Sequence, residues 1–281
     1  MTTPTTLLSH DTAGAPSGDG LSDGGLSDGG LSDGGTPLVL LHSSVCDRRM
    51  WDPQWAPLAE AGHQVVRCDF RGHGDTPAAT APHRDADDVR ALLDALGIGR
   101  ATLVASSYGG RVALEFAARW PDRVAAMALL CSGMPGHEPG PELAAFDARE
   151  EALFEAGDLE AAVELNVDTW LGPEAGEAAR EKVRRMQRHA FEVQTAAEEE
   201  WGEIGELPEP ALDLSAVTAP VLAVSGAHDL ADFRTIAARL ARLLPRARHL
   251  ELPWAGHLPN LERPEETTAL LTDFLRECAG A

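Results

Sequence analysis

The sequence predicts an α/β fold: a mainly parallel β-sheet with helices on both faces and a helical block inserted late in the chain. Three observations carry this reading. From Pro37 onward, short apolar runs alternate with amphipathic stretches of helical period, the pattern of successive βα units. Between residues 135 and 210 the alternation stops, and Ala- and Glu-rich amphipathic stretches replace it. After Ala211 the alternation returns.

The elements follow in order. Residues 5–10 are expected to form a short edge strand. Residues 11–36 read as a low-complexity loop, because Leu-Ser-Asp-Gly-Gly occurs three times in succession from Leu21 to Gly35. Asp and Gly at that density favour turns and cost too much backbone entropy to order without burial. A calcium loop is the alternative, but a period of five fits neither the calcium β-roll nor the EF-hand. Residues 38–42 form a continuous apolar run ending in polar residues, as a buried parallel strand does. A helix over 51–61, a strand over 64–69 and a helix over 85–96 that stops at Gly97 come next. Residues 101–106 and 124–131 read as strands around a helix over 109–120 that Pro121 closes. Helical stretches over 142–156, 159–171 and 174–197 fill the inserted block. Strands over 220–225 and 248–252 then alternate with helices over 231–244 and 263–278. The expected organisation is an N-terminal segment (1–36), a core (37–134 and 211–281) and a helical cap (135–210). Such a cap belongs over the carboxyl ends of the strands, where α/β ligands bind. Its acidic residues read as solvated helix faces rather than as a funnel for cations.

Composition narrows the function. The chain has 281 residues, 44% hydrophobic and 24% charged, enough to bury a substantial core. A net charge of −22 disfavours nucleic acid and anionic membrane surfaces as partners and leaves a small-molecule substrate. No apolar run approaches the roughly 20 residues of a membrane span, and residues 1–10 lack the features of a secretory signal. Cys46, Cys68, Cys131 and Cys278 are scattered with no C-x-x-C, so reduced thiols and a cytoplasmic location are expected. No G-x-G-x-x-G follows the first strand of the alternation, and no G-K-[ST] or H-E-x-x-H occurs, so neither a cofactor nor a catalytic metal is expected.

The stretch Leu103-Val-Ala-Ser-Ser-Tyr-Gly-Gly110 places Ser107 on a turn between an apolar strand and a helix. Small residues two before and two after it, Ala105 and Gly109, allow a strained strand-to-helix turn that lifts the hydroxyl above the sheet. The neighbouring Ser106 is flanked at those positions by Val104 and Tyr108, which are too bulky. Here the chain resembles the α/β-hydrolase family, whose nucleophile elbow is usually G-x-S-x-G; Ala105 stands in for the first glycine.

A serine nucleophile needs a base, and the base an orienting acid. In the order of the family, Val221-Leu-Ala-Val-Ser-Gly-Ala-His-Asp229 runs from a strand to Asp229, and Leu250-Glu-Leu-Pro-Trp-Ala-Gly-His257 from a strand to His257. Asp232 is the rival acid but is better placed to open the next helix, and His228 is expected to point away from Asp229. The segment Cys131-Ser-Gly133 offers no carboxylate at the acid position some relatives use.

The loop His42-Ser-Ser-Val-Cys-Asp47 resembles the family's oxyanion loop, which implies the backbone N–H groups of Ser44 and Tyr108 as donors to the oxyanion. His42 is read as a brace for this loop and Cys46 as a packed cysteine rather than a reactive one. Asp69-Phe-Arg-Gly-His-Gly74 matches a further family loop, in which Asp69 and Arg71 are expected to pair with nearby backbone and His73 to be structural. The serine argues against the dehalogenases and epoxide hydrolases of the fold, which carry aspartate at the elbow. Arg48–Gln54 and Asp94–Arg100 are similar to stretches of 3-oxoadipate enol-lactonases and small esterases.

The resemblance implies a serine esterase or lactonase working through an acyl-enzyme. Met50, Trp51, Tyr108, Met134, Phe146, Phe154, Trp170 and Phe191 are the candidate substrate-lining residues, an apolar set without a charged anchor. C–C hydrolase, thioesterase, perhydrolase or cyclase chemistry on the same triad, or a slow hydrolase-like receptor, remain as alternatives.

Overall fold

The computed structural model describes residues 7–14, 35–202, 204, 207–208 and 210–280. Among them, the strands are β1 (His10–Ala13), β2 (Leu38–Leu41), β3 (Val65–Cys68), β4 (Ala101–Ser106), β5 (Val124–Leu130), β6 (Val221–Gly226) and β7 (Ala247–Leu252). They form one sheet in the order β1-β3-β2-β4-β5-β6-β7. Only β1 runs antiparallel, against β3; the other neighbouring pairs are parallel. β2, β4 and β6 are buried at every position, in keeping with their largely apolar sequences.

The helices are α1 (Asp52–Glu60), α2 (Asp85–Ala95), α3 (Tyr108–Arg119), α4 (Pro141–Glu155), α5 (Leu159–Trp170), α6 (Glu177–Trp201), α7 (Ala231–Leu243), α8 (Pro259–Glu262) and α9 (Pro264–Ala279). From β2 the chain steps outward to β3, then back across β2 to β4. Right-handed crossovers taken in opposite directions put α1 and α2 on opposite faces of the sheet. α9 packs with α1, and α3 with α2. The reversal opens a crevice at the carboxyl ends of β2 and β4, the place where open parallel sheets bind ligands.

One expectation changes at the N-terminal edge. The edge strand lies at His10–Ala13 rather than 5–10, so part of the stretch read as loop belongs to the sheet. Its register is held by Asp11, whose carboxylate accepts from Arg48 (3.1 Å) and Arg67 (2.9 Å), partners far away in sequence. The Leu-Ser-Asp-Gly-Gly repeat lies outside the described residues except for Gly35.

The helices α4, α5 and α6 occupy the stretch between β5 and β6. Asp158 caps α5 by accepting from the Ala161 N–H at 3.1 Å. Part of the acidic face is paired rather than merely solvated: Glu160, Glu164 and Asp168 of α5 meet Arg188, Arg184 and Arg180 of α6. None of the described helices is long and apolar enough to cross a membrane.

Candidate active site

Ser107 joins β4 to α3 with φ 52° and ψ −116°. A non-glycine residue in that region costs about 1–3 kcal/mol and persists only where its surroundings dictate it. Here they do. The Ser107 N–H donates to the Leu130 carbonyl (3.0 Å), and its own carbonyl accepts from the N–H groups of Gly110 (2.9 Å), Arg111 (3.2 Å) and Gly133 (2.9 Å). Gly109 lies so close to β2 that a Cβ would stand 2.6 Å from the carbonyl oxygens of Leu41 and His42. Ala105, in place of the usual glycine, is fully buried. Ser106 is the last residue of β4, fully buried, and its hydroxyl does not border the cavity below.

Asp229 and His257 follow β6 and β7. His257 Nδ1 lies 2.8 Å from Asp229 Oδ2, and both side chains are buried. The other carboxylate oxygen of Asp229 accepts from the Leu230 N–H at 2.7 Å. With Nδ1–H donating to the carboxylate, Nε2 is the ring nitrogen left to accept a proton. The ring sits between Phe233 and Trp170, with centroids 4.2 and 4.6 Å away. His228 is exposed, and Asp232 opens α7 while accepting from His137 Nε2 (2.8 Å) and the Gly140 N–H (2.6 Å).

Glu262 is a site residue that sequence reasoning missed. Its buried carboxylate accepts from the N–H groups of Gly256 (2.8 Å) and Leu258 (3.1 Å), the two neighbours of His257, and burial pushes its pKa up. It acts through backbone, so no side-chain motif announces it.

The loop after β2 is braced by His42 as expected. His42 Nε2 accepts from the Phe70 N–H (2.9 Å) and Nδ1 donates to the Ser43 carbonyl (2.7 Å). Burial, with His73 nearby, lowers its pKa to about 3, so it stays neutral. The Ser43 N–H is committed to Met50 Sδ at 3.3 Å, and the next residue, Ser44, borders the cavity. His73 contacts the carbonyls of Ser44 (2.9 Å) and Arg71 (3.0 Å). Asp69 accepts from the backbone N–H groups of Arg48 (2.7 Å) and Asp75 (2.9 Å), whereas Arg71 pairs with the Asp88 carboxylate (2.6 and 2.8 Å) rather than with backbone. Burial raises the thiol pKa of Cys46 far above its ordinary value, consistent with a packed residue.

Ser107 and His257 face one cavity of about 520 Å³, together with Ser44, Tyr108, Phe146, Trp170 and Phe191. Met50, Trp51, Met134 and Phe154 do not border it. Met50 and Trp51 are fully buried in the turn beneath the oxyanion loop, Met134 is packed in the core, and Phe154 is partly exposed against Phe191. The lining is also not purely apolar: Arg71, His83, Asp85, Arg111, Asp147, Glu150, Asn166 and Gln187 border it. The Tyr108 hydroxyl donates to Asp85, which also faces His83 at 3.4 Å. A hollow of about 560 Å³ at the opposite, amino ends of the strands is lined by no serine among the described residues.

Two groups could in principle gather a cation among the described residues, Cys131 with Asp229 and His257, and His83 with Asp85 and Asp88. In the first, burial keeps Cys131 a thiol; in the second, Arg71 already neutralises Asp88.

The family model described as "Alpha/beta hydrolase family" matches residues 38–270. The chain belongs to the alpha/beta hydrolase family. A relative from Variovorax paradoxus with the provisional name carbamate hydrolase RutD is 35% identical over 233 residues, covering 80% of this chain and 86% of its own. A thermophilic esterase from Thermogutta terrifontis superposes with a TM-score of 0.74 at 25% identity, over 96% of this chain and 93% of its own. The enol-lactonase from Burkholderia xenovorans gives 0.72 at 26% identity, over 96% of both chains.

Proposed function

We propose that this alpha/beta hydrolase cleaves carboxylic esters or lactones of small to medium acyl substrates through an acyl-enzyme on Ser107. That it is an enzyme acting on ester bonds follows from its family and its esterase and lactonase neighbours. The observation that carries the rest is the strained turn of Ser107 facing the same cavity as the buried His257–Asp229 pair.

In this reading Ser107 Oγ attacks the carbonyl carbon while His257 Nε2 takes its proton. Asp229 holds the ring in the tautomer that leaves Nε2 able to accept, and stabilises the imidazolium. Negative charge on the carbonyl oxygen is met by the backbone N–H groups of Ser44 and Tyr108, on opposite sides of the β2–β4 crevice. A donor of this kind is worth about 3 kcal/mol. The imidazolium protonates the leaving alcohol; His257 then activates water, which releases the acid and restores Ser107. The helices α4, α5 and α6 act as a cap, since Phe146, Trp170 and Phe191 on them line the cavity that holds Ser107 and His257.

Acid release tests this across matched esters, lactones, thioesters and carbamates, the last because of the name borne by the Variovorax relative. Turnover of an ester or lactone that disappears in Ser107→Ala supports the reading. Turnover that survives the substitution refutes it.

A further inference from the structure

One position on the inner face of the cap breaks its pattern. The buried residues of α6 are Val183, Met186, Gln187, Ala190 and Phe191, the i, i+3, i+4, i+7, i+8 spacing of an inward helical stripe. The other four are apolar. Gln187 stands in their midst at 4% exposure, and a buried amide costs stability unless its groups are hydrogen-bonded.

Among the described residues neither end of this amide has a partner. Its Oε1 is turned into the wall, out of reach of solvent. Its Nε2 is the accessible end, where Gln187 borders the cavity of Ser107 and His257. The other two side-chain amides on that cavity are engaged. Asn166 of α5 donates through Nδ2 to Glu150 and to the Ala162 carbonyl (2.9 Å), while its Oδ1 accepts from the Trp170 indole at 2.9 Å. Gln194, two turns after Gln187, donates to the Gly72 carbonyl at 3.3 Å. Gln187 therefore holds a donor toward the substrate space with no protein acceptor to receive it. A leucine or methionine would complete the stripe without that cost, so the amide is accounted for by what enters the cavity.

We infer that Gln187 is a specificity-determining residue whose Nε2 donates to an uncharged acceptor of the substrate, a ketone, amide or ether oxygen set apart from the scissile carbonyl. The scissile carbonyl itself is served by the amides of Ser44 and Tyr108 in the reading above. A carboxylate fits this role less well, because Glu150 shares the cavity and the Arg71 cation is already matched by Asp88. A neutral oxygen pairs the stranded N–H without bringing a second charge into the cap. This assignment rests on the reading of the cavity as a substrate site, but its test does not require turnover.

The test is calorimetric binding to full-length Ser107→Ala protein, with dissociation constants followed into the millimolar range. The probes are methyl hexanoate, methyl 4-oxohexanoate, methyl 5-oxohexanoate and, as the carboxylate, monomethyl adipate. Each carries an ester carbonyl for the oxyanion side, so the second polar group is the variable. An added ketone favours water and weakens purely apolar binding. The better keto ester is nevertheless expected to bind about three- to tenfold tighter than methyl hexanoate, the size of one neutral hydrogen bond. Gln187→Met, near in shape but without a donor, and Gln187→Leu should each cancel that advantage. Both should unfold at no lower temperature than the parent, since each removes an unpaired buried amide. Keto esters that bind no tighter than methyl hexanoate or not at all, tightest binding by monomethyl adipate, or an advantage that survives both substitutions overturns the inference. A marked fall in unfolding temperature in both variants makes the amide structural and overturns it too. Keto-ester preference in a protein whose Ser107 proves inert would sink the hydrolase reading alone; an active serine without the preference sinks the role of Gln187 alone.

Discussion

Replacing Asp229 by asparagine tests the proposed role of the acid more sharply than deleting it. The two carboxylate oxygens have different partners: Oδ1 accepts from the Leu230 N–H at 2.7 Å, and Oδ2 faces His257 Nδ1 at 2.8 Å. An asparagine must keep its oxygen toward Leu230, because an NH2 there would confront a second donor. Its NH2 then points at His257, whose Nδ1 must become the acceptor and whose proton moves to Nε2. The ring keeps its place between Phe233 and Trp170 but presents a proton to the side where a base is needed. The wrong tautomer and the lost stabilisation of the imidazolium together cost about 10⁴-fold in kcat in a serine protease triad, or about 5.5 kcal/mol of barrier. The assay is initial rate on an activated ester at neutral pH, with thermal unfolding run alongside. A loss of about 10³–10⁴ in kcat with a preserved unfolding transition is expected. A loss below about tenfold would refute the assignment of Asp229 as the orienting acid.

Other outcomes follow from the same geometry. Gly109→Ala drives a Cβ to 2.6 Å from two β2-loop carbonyls, so the elbow or the oxyanion loop must shift. A displacement of about 1 Å should cost on the order of 10²-fold in kcat, with about 1–3 kcal/mol of stability lost in denaturant titrations. Glu262→Gln keeps one acceptor and sets an NH2 against the second N–H beside His257; kcat should fall with KM nearly unchanged, and stability by about 1–3 kcal/mol. His42, with a folded pKa of about 3 against 6.5 unfolded, binds fewer protons in the fold than in the unfolded chain over that window. Its contribution is therefore intact above about pH 6.5 and declines as pH falls toward 3, by up to about 1.4 kcal/mol per pH unit. Denaturant titrations from pH 7 to 4 should show a shallower decline in His42→Gln than in the parent; an identical slope contradicts a neutral buried His42.

The ends of the strands were readable in the sequence because each is marked by chemistry that only a tight turn needs. Gly109 must lack a Cβ beneath the β2 loop, and Gly256, before His257, packs against Gly226, where a Cβ would meet its carbonyl at 2.0 Å. The cavity wall was less readable. Met50 and Trp51 sit next to the oxyanion loop in sequence, yet the turn Arg48–Trp51 folds them beneath it, where the Met50 sulfur meets the Ser43 N–H. Amphipathic periodicity gave α4 a place but not a direction, since its polar residues include both solvated positions and the cavity-facing Asp147 and Glu150. Edge strand β1 was misplaced because Asp11 finds Arg48 and Arg67 only in three dimensions.

The central claim is that Ser107 is an activated nucleophile, and intact mass after treatment with a fluorophosphonate probe tests it most directly. The strained turn and the paired base predict a single covalent adduct on the parent protein, none on Ser107→Ala, and much slower labelling of Asp229→Asn. A folded parent that remains unlabelled, or an adduct that persists in Ser107→Ala, would contradict the account.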